Sequence, residues 1–207
     1  MHAAASEARL FARKYPQILQ GGDGADYRLL TMQHDHSAPA DTQKAFRSLM
    51  GRYATGVSVI ATLGSGGPHG MTANSLTSVS LEPLLLLFCV RQGTRTGTLV
   101  KQTGRFSVNI LSHEHEALSR RFAGQKAQCG EVEWTDLFGT PALADAEAVF
   151  VCDLRNEYCA GDHSIIVGQV VAMHGRQQPR SPLVFYDGSY RCLHASPTCH
   201  ELEWRRR

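Results

Sequence analysis

The sequence predicts a mostly β protein, an antiparallel barrel with a few decorating helices. Three observations carry this reading. Apolar and β-branched stretches recur along the chain: "GVSVIATL" (56–63), "LLLLFCV" (84–90), "RFSVNIL" (105–111), "AVFVCDLRNEY" (148–158) and "HSIIVGQVVAMH" (163–174). Most connections between them are short and turn-rich, as antiparallel neighbours allow. Only two or three helix-like segments interrupt the strands, too few for an alternating parallel sheet.

Taken in order, residues 1–40 stand apart. "QGGDGADYRLLTMQHDHSAPAD" is polar and glycine-rich without sustained periodicity, and is expected to be a flexible extension. Met32 within it is a candidate start, which would leave residues 1–31 outside the native chain. The folded domain is expected over 41–194, followed by a tail at 195–207. Asp41 is placed to cap a helix whose Phe46, Leu49, Met50 and Tyr53 follow helical spacing. The strand "GVSVIATL" leads through the turn-rich "GSGGPHG" (64–70) into "HGMTANSLTSVS" (69–80), a hydroxyl-rich strand-like stretch. "LLLLFCV" reads as a buried strand, "TGTLVKQTG" (96–104) as a short helix ending at Gly104, and "RFSVNIL" as another strand. "HEALSRRFAG" (115–124) is a helix with Leu118 and Phe122 on one face, and 125–147 is loop around Trp134. Two long strands joined by "CAGD" follow, then the hairpin "LVFYDGSYRCL" (183–193) with its turn at "DGS".

Composition excludes several function classes. In 207 residues, 21 basic side chains face 19 acidic ones, so there is no electrostatic case for nucleic acid. The longest apolar run, Leu84 to Val90, is far short of the roughly 20 residues that cross a bilayer, so no membrane association is expected. The N-terminus has no continuous apolar signal core. Cys89, Cys129, Cys152, Cys159, Cys192 and Cys199 form no C-x-x-C pair, which suits buried thiols in a reduced, cytoplasmic protein. The clusters "HDH" (34–36) and "HEH" (113–115) lack a third ligand at a recognisable spacing, so no metal is expected. "GSGGPHG" fails as a dinucleotide fingerprint because the third glycine would fall at His69. No G-K-[ST] loop, no G-x-S-x-G elbow and no paired carboxylates are present.

What remains is the hydroxyl-rich strand. Ser and Thr hydroxyls with bare backbone N–H groups bind a phosphate or a heteroaromatic rim, and Asn74 offers both a donor and an acceptor. Alternation would put Thr72, Asn74, Leu76 and Ser78 on one face. The same residues also suit a half-exposed strand facing water. Arg95 and Thr96 follow the buried strand at the start of a helix, where an anion gains from charge and free N–H groups, or where an arginine is simply solvated. His163 opens a strand after a Gly-Asp turn, as a functional or a turn histidine.

The order of these pieces resembles the short-chain flavin reductases, the NAD(P)H:flavin oxidoreductase components of two-component flavin-dependent monooxygenases. The resemblance spans about residues 44–193. It rests on "FRSLMGRYATGVSVIAT", "PHGMTANSLTSVSLEPLLLLFCV", "RTGTLVKQTGRFSVNIL", "LSRRFAG", "GDHSIIVGQVV" and "PLVFYDGSYRCL". It implies an FMN-binding split β-barrel, Greek-key-like, forming a homodimer with flavin near the subunit interface. It implies FMN or FAD as cofactor, NADH or NADPH as hydride donor, and an oxygenase that receives the reduced flavin. By position, Thr72, Ala73, Asn74 and Ser75 would line the isoalloxazine rim, with Ser78, Val79 and Ser80 nearer the ribityl and phosphate. Arg95 and Thr96 would hold the phosphate end. Thr55, Gly56, Phe106, Asn109, Tyr186 and Tyr190 match further family positions, and His163 matches the histidine beside the nicotinamide. A non-catalytic flavin- or haem-binding barrel and a pyridoxamine-phosphate-oxidase-like barrel are the competing readings.

Overall fold

The computed structural model describes residues 39–193. The expectations for the extension up to residue 38, Met32, the "HDH" cluster, Cys199 and the tail lie outside the described residues. The chain divides into two compact units, Met1–Arg52 and Tyr53–Arg207. In the first, helix α1 (Ala40–Met50) is capped by Pro39 and not by Asp41. The turn from extended to helical backbone falls at Pro39, which leaves Asp41 in the first turn, where its charge complements the helix dipole. Tyr53 lies beyond this helix.

The second unit is built from β1 (Thr55–Gly56), β2 (Ser58–Gly64), β3 (Gly67–Ala73), β4 (Thr77–Leu81) and β5 (Leu84–Arg91). Helix α2 (Arg95–Thr103), β6 (Arg105–Ile110), a 3-10 turn (His113–His115) and helix α3 (Glu116–Phe122) come next. The chain continues through β7 (Trp134–Leu137), β8 (Thr140–Leu143), β9 (Ala148–Ala160), β10 (His163–Gly175), β11 (Val184–Tyr186) and β12 (Ser189–Arg191). Every strand pair is antiparallel. The main sheet runs β3-β2-β6-β9-β10-β5-β4. Its two edge strands, β3 and β4, are joined by only Asn74, Ser75 and Leu76. Three residues reach about 10 Å, so the edges lie close and the sheet curls into a split barrel.

That connection corrects one expectation. The stretch 69–80 is two strands on opposite edges, not one, so an unbroken alternation through Thr72, Asn74, Leu76 and Ser78 does not exist. The break at Asn74–Leu76 is where the backbone changes partner, from β2 to β5. The turn of "GSGGPHG" is likewise shorter than expected, because β3 begins at Gly67 and takes in Pro68 and His69.

Two apolar clusters sit on the two sides of the sheet. Inside the barrel Phe88 and Phe106 meet edge to face, ring centroids 5.2 Å apart, among Ile60, Val108, Ile166 and Val100 of α2. Outside, Val59, Ala61, Leu111 and Val149 are covered by α3 through Leu118 and Phe122 and by the β7–β8 hairpin through Trp134 and Leu137. That hairpin occupies the segment expected as loop. Its turn places Phe138 and Gly139 at φ 54° and 74°, matching the left-handed pair of a two-residue hairpin turn.

Five cysteines are free among the described residues. Only Cys152 is fully buried, and burial pushes its thiol up to about 12. Cys159 and Cys192 are exposed, so the expectation of uniformly buried thiols does not hold. Cys159 is displaced from the interior because β9 outruns β6 after Asp153, leaving its last turns as a free edge.

Candidate active site

The short break between β3 and β4 is pinned rather than loose. Ser75 Oγ accepts from Cys89 N at 3.0 Å and lies 3.3 Å from Cys89 O, fixing the break on β5. Cys89 pairs with Ile165 of β10, and His163 lies two residues along on the same face. The motifs "TANS" and "GDH", about ninety residues apart in sequence, therefore both reach β5, at Cys89 and at Arg91. Asn74 is exposed, its amide free of partners among the described residues.

His163 Nδ1 faces Asp162 Oδ1 at 2.9 Å. The bond to His163 is the main cause that holds the Asp162 carboxyl below its usual range. With Nδ1 turned to a carboxylate, Nε2 is the ring nitrogen left for a ligand. The hairpin tip is braced by Gln92, whose N–H and side-chain amide donate to Asp162 O (3.0 Å), Gly161 O (3.2 Å) and His163 O (3.4 Å).

The start of α2 packs against Val90 of β5 and His69 of β3. Thr94 caps the helix, its Oγ1 accepting from Gly97 N. The N–H groups of Arg95 and Thr96 find no acceptor among the described residues, which leaves an anion-seeking end beside the Arg95 guanidinium. His69 of β3 joins it, with Nε2 3.0 Å from Thr96 Oγ1. Burial, and then the positive charge of Arg95, lower the pKa of His69. His69 carries no signal in the sequence, where "PHG" reads as part of a turn.

The remaining expected residues fall into three groups. Thr55, Gly56, Tyr186 and Tyr190 belong to the small β1-β11-β12 sheet. It is linked to β3 through α3: Tyr190 Oη lies 2.7 Å from Ser119 Oγ, and Thr72 Oγ1 donates to Ser119 O at 2.6 Å. The Thr72 hydroxyl is thus turned into α3, leaving only its backbone for a ligand. Thr55 Oγ1 is buried with no hydrogen-bond partner among the described residues. Ser78, Val79 and Ser80 lie on β4, which runs away from α2. Ser80 pairs opposite Leu85, six residues or about 20 Å of strand before Arg91, and its hydroxyl accepts from Glu82 N. The structure does not bring these three to the Arg95–Thr96 end within one chain. Phe106 and Asn109 are fully buried in β6. Asn109 Nδ2 donates to Val59 O and Ser107 Oγ, and its Oδ1 accepts from Leu143 N, so it ties β2, β6 and β8 together. A strand covered on both faces has no side left for a cofactor.

The arrangement fits a flat heteroaromatic ring with an anionic tail. It offers a free amide at Asn74 and a cationic helix start with two open N–H groups.

Residues 50–194 match the Flavin reductase like domain. The chain is 35% identical over 158 residues to an NADH-dependent flavin reductase of Rhodococcus sp, covering 75% of this chain and 89% of that protein. It is 32% identical over 171 residues to the flavin-dependent monooxygenase reductase subunit HsaB of Rhodococcus jostii (strain RHA1), covering 82% of this chain and 87% of that protein. The solved structure of the flavin reductase PheA2 in its native state superposes with a TM-score of 0.70 at 39% identity, over 73% of this chain and 98% of that one. The edge-joined barrel, the pinned "TANS" break and this match over most of the chain agree: the protein belongs to the flavin reductase like domain family.

Proposed function

We propose that the protein is an NAD(P)H-dependent flavin reductase that transfers hydride to FMN or FAD and supplies reduced flavin to a partner monooxygenase. The observation that supports this reading is the Ser75–Cys89 tie, which holds the Asn74–Ser75 break against β5 two residues from Arg91, the partner of His163 in β10. When bound, the flavin ring supplies the hydride acceptor.

The chain's own residues then have defined tasks. Asn74, with the backbone of Thr72, Ala73 and Ser75, borders the ring edge, where fixed donors stabilise incoming negative charge. Arg95, Thr96 and the N–H groups of α2 hold the phosphate. His163, held by Asp162, positions the nicotinamide through Nε2. Thr55, Gly56, Tyr186 and Tyr190 form the wall of the small sheet. We take Ser78, Val79 and Ser80 to meet a flavin only if it extends along β4. The protein acts as a cytoplasmic homodimer: free, exposed Cys159 and Cys192 suit a reducing compartment, and the outer face of β5 and β10 is apolar. No helix among the described residues is long and apolar enough to cross a membrane.

The test is the absorbance of NADH and of NADPH with purified protein, with and without FMN or FAD. Flavin-dependent oxidation of either nucleotide is expected. Flavin binding without oxidation would overturn the reductase and leave a binding module.

A further inference from the structure

Helix α3 has one fully buried residue, and it is polar: Ser119. A polar residue is stable in such a place only where its groups are bonded. The Ser119 carbonyl accepts from the C-capping Ala123 N at 2.9 Å and also from Thr72 Oγ1 of β3 at 2.6 Å. The Ser119 hydroxyl lies 2.7 Å from Tyr190 Oη of β12. The contacts around it point in the same two directions. Towards β3, Phe122 closes on Gly70, where an added Cβ would stand 2.9 Å from Phe122 Cε1. Towards β12, the Arg120 guanidinium lies 4.8 Å from the centre of the Tyr190 ring, held by bonds of 2.9 and 2.7 Å to Glu116 Oε1. Phe185 of β11 meets Tyr190 edge to face, with centroids 5.5 Å apart.

We propose that Ser119 is a positioning residue for the flavin, which fixes one end of the segment Thr72–Ser75 and ties that segment to the small sheet. This rests on the flavin reductase reading above. Thr72 is anchored to Ser119 on α3, and Ser75 to Cys89 on β5. Asn74, whose amide is free of partners among the described residues, lies between the two anchors. Only about 10 Å of chain separates them, so a shift at either end moves Asn74. The second bond of Ser119 extends this control to Tyr190. Its hydroxyl and carbonyl belong to one turn of helix, so the distance from β3 to the small sheet is set through a single residue. A ring bordered by Asn74 and walled by the small sheet meets a gap of fixed width. Ser119 touches neither the ring nor the nucleotide in this account; it acts through Thr72 and Tyr190.

The test titrates the full chain with FMN and with FAD by fluorescence quenching and reads melting temperatures alongside. Ser119→Ala and Tyr190→Phe delete the same bond from its two ends. Each is expected to raise the flavin dissociation constant about fivefold, and the double variant no further, since one bond is lost only once. Thr72→Val deletes the other bond and is expected to weaken flavin to a similar degree, whereas Thr72→Ser keeps the hydroxyl and stays near wild type. Lowered melting temperatures with unchanged dissociation constants would leave Ser119 a merely structural residue and overturn the proposal. A loss in Tyr190→Phe without one in Ser119→Ala would also overturn it, by assigning the effect to the Tyr190 hydroxyl itself. Should Ser119→Ala not fold, the double variant Thr72→Val/Tyr190→Phe decides from the partner side. A combined loss smaller than the product of the single losses marks coupling through Ser119, and the full product excludes it. Binding needs no turnover, so a wild-type chain that binds flavin without oxidising NAD(P)H overturns the reductase reading and leaves this test intact. A wild-type chain that binds no flavin overturns both.

Discussion

At the level of single residues, the site depends on side chains whose hydrogen bonds are already assigned within the chain. Ser75 is half-buried, and its hydroxyl serves Cys89 rather than a ligand. Ser75→Ala removes that tie and leaves the β3–β4 break free to shift. Flavin affinity is expected to fall about five- to tenfold, read as the dissociation constant from fluorescence quenching, with the melting temperature little changed. An unchanged constant would show that the tie does not hold the site. His163→Ala is expected to raise the KM for the nicotinamide nucleotide about tenfold with flavin affinity intact, since the residue positions one substrate and not the other. If KM and turnover both stay at wild-type values, His163 has no such role. The sequence motifs point to Asn74, Ser75 and His163, of which Ser75 and His163 flank β5 at Cys89 and Arg91, and to Arg95 and Thr96, which open α2. They misled at Phe106 and Asn109, because the alternation of "RFSVNIL" does not reveal that both faces of β6 are covered. They missed His69 and Ser119, whose partners are 27 and 71 residues away. Such pairings have no local sequence signal.

At the level of elements, β2, β5, β6, β9 and β10 are legible as runs of β-branched and apolar residues, and α2 and α3 as helical segments, whereas β3 begins inside a stretch that reads as a turn. The β7–β8 hairpin was not legible, since "WTDLFGTPAL" is short, broken by proline and glycine, and stabilised by packing Trp134 against Phe122 at 5.8 Å. Two element-scale predictions follow from close packing and from charge. Gly168 faces the barrel interior at a bulge, where an added Cβ would stand 2.5 Å from Phe106 Cζ and 2.9 Å from Cys152 Cβ. Gly168→Ala is expected to cost about 1–3 kcal/mol of unfolding free energy, read by urea denaturation. A variant as stable as the wild type would mean that the core repacks there at no cost. The segment between β10 and β11 is anchored by Arg180, which reaches Glu114 at 2.6 Å, Asp145 at 2.8 Å and also Glu147, while Arg176 reaches Asp145. The bond from Arg180 is the main cause that lowers the Asp145 carboxyl from 3.8 to about 2. A depressed carboxyl stabilises the fold above its unfolded value, so this contribution is present above about pH 4 and is lost as pH falls towards 2. Asp145 is half-exposed, and solvent screening limits the effect to about 1 kcal/mol. The stability difference between wild type and Asp145→Asn should therefore shrink between pH 4 and 2. A difference that stays constant across that range would exclude the ion pair as its source.

At the scale of the whole molecule, the run "LLLLFCV" raises a question that one chain does not resolve. A strand apolar on both faces is normally covered on both. Here Leu86, Phe88 and Val90 fill the barrel, but Leu85, Leu87 and Cys89 point outward and are only half-buried. The register sets Ile165 and Val167 beside them on β10, and Tyr158 next to Ile165 on β9 with 54% of its surface exposed. This outward apolar face adjoins Ser75 and His163, so whatever covers it also borders the candidate active site. A second copy presents the same face, and two such faces related by a twofold axis satisfy each other. The solution mass by light scattering is expected to be twice the chain mass of 22.7 kDa. Leu87→Glu places a charge at the centre of the face and is expected to give a folded monomer by circular dichroism with weakened flavin binding, because one wall of the site is lost with the partner. A wild-type protein that runs as a monomer at micromolar concentration would overturn the dimer. A Leu87→Glu monomer with full flavin affinity would show instead that each site is complete within a single chain.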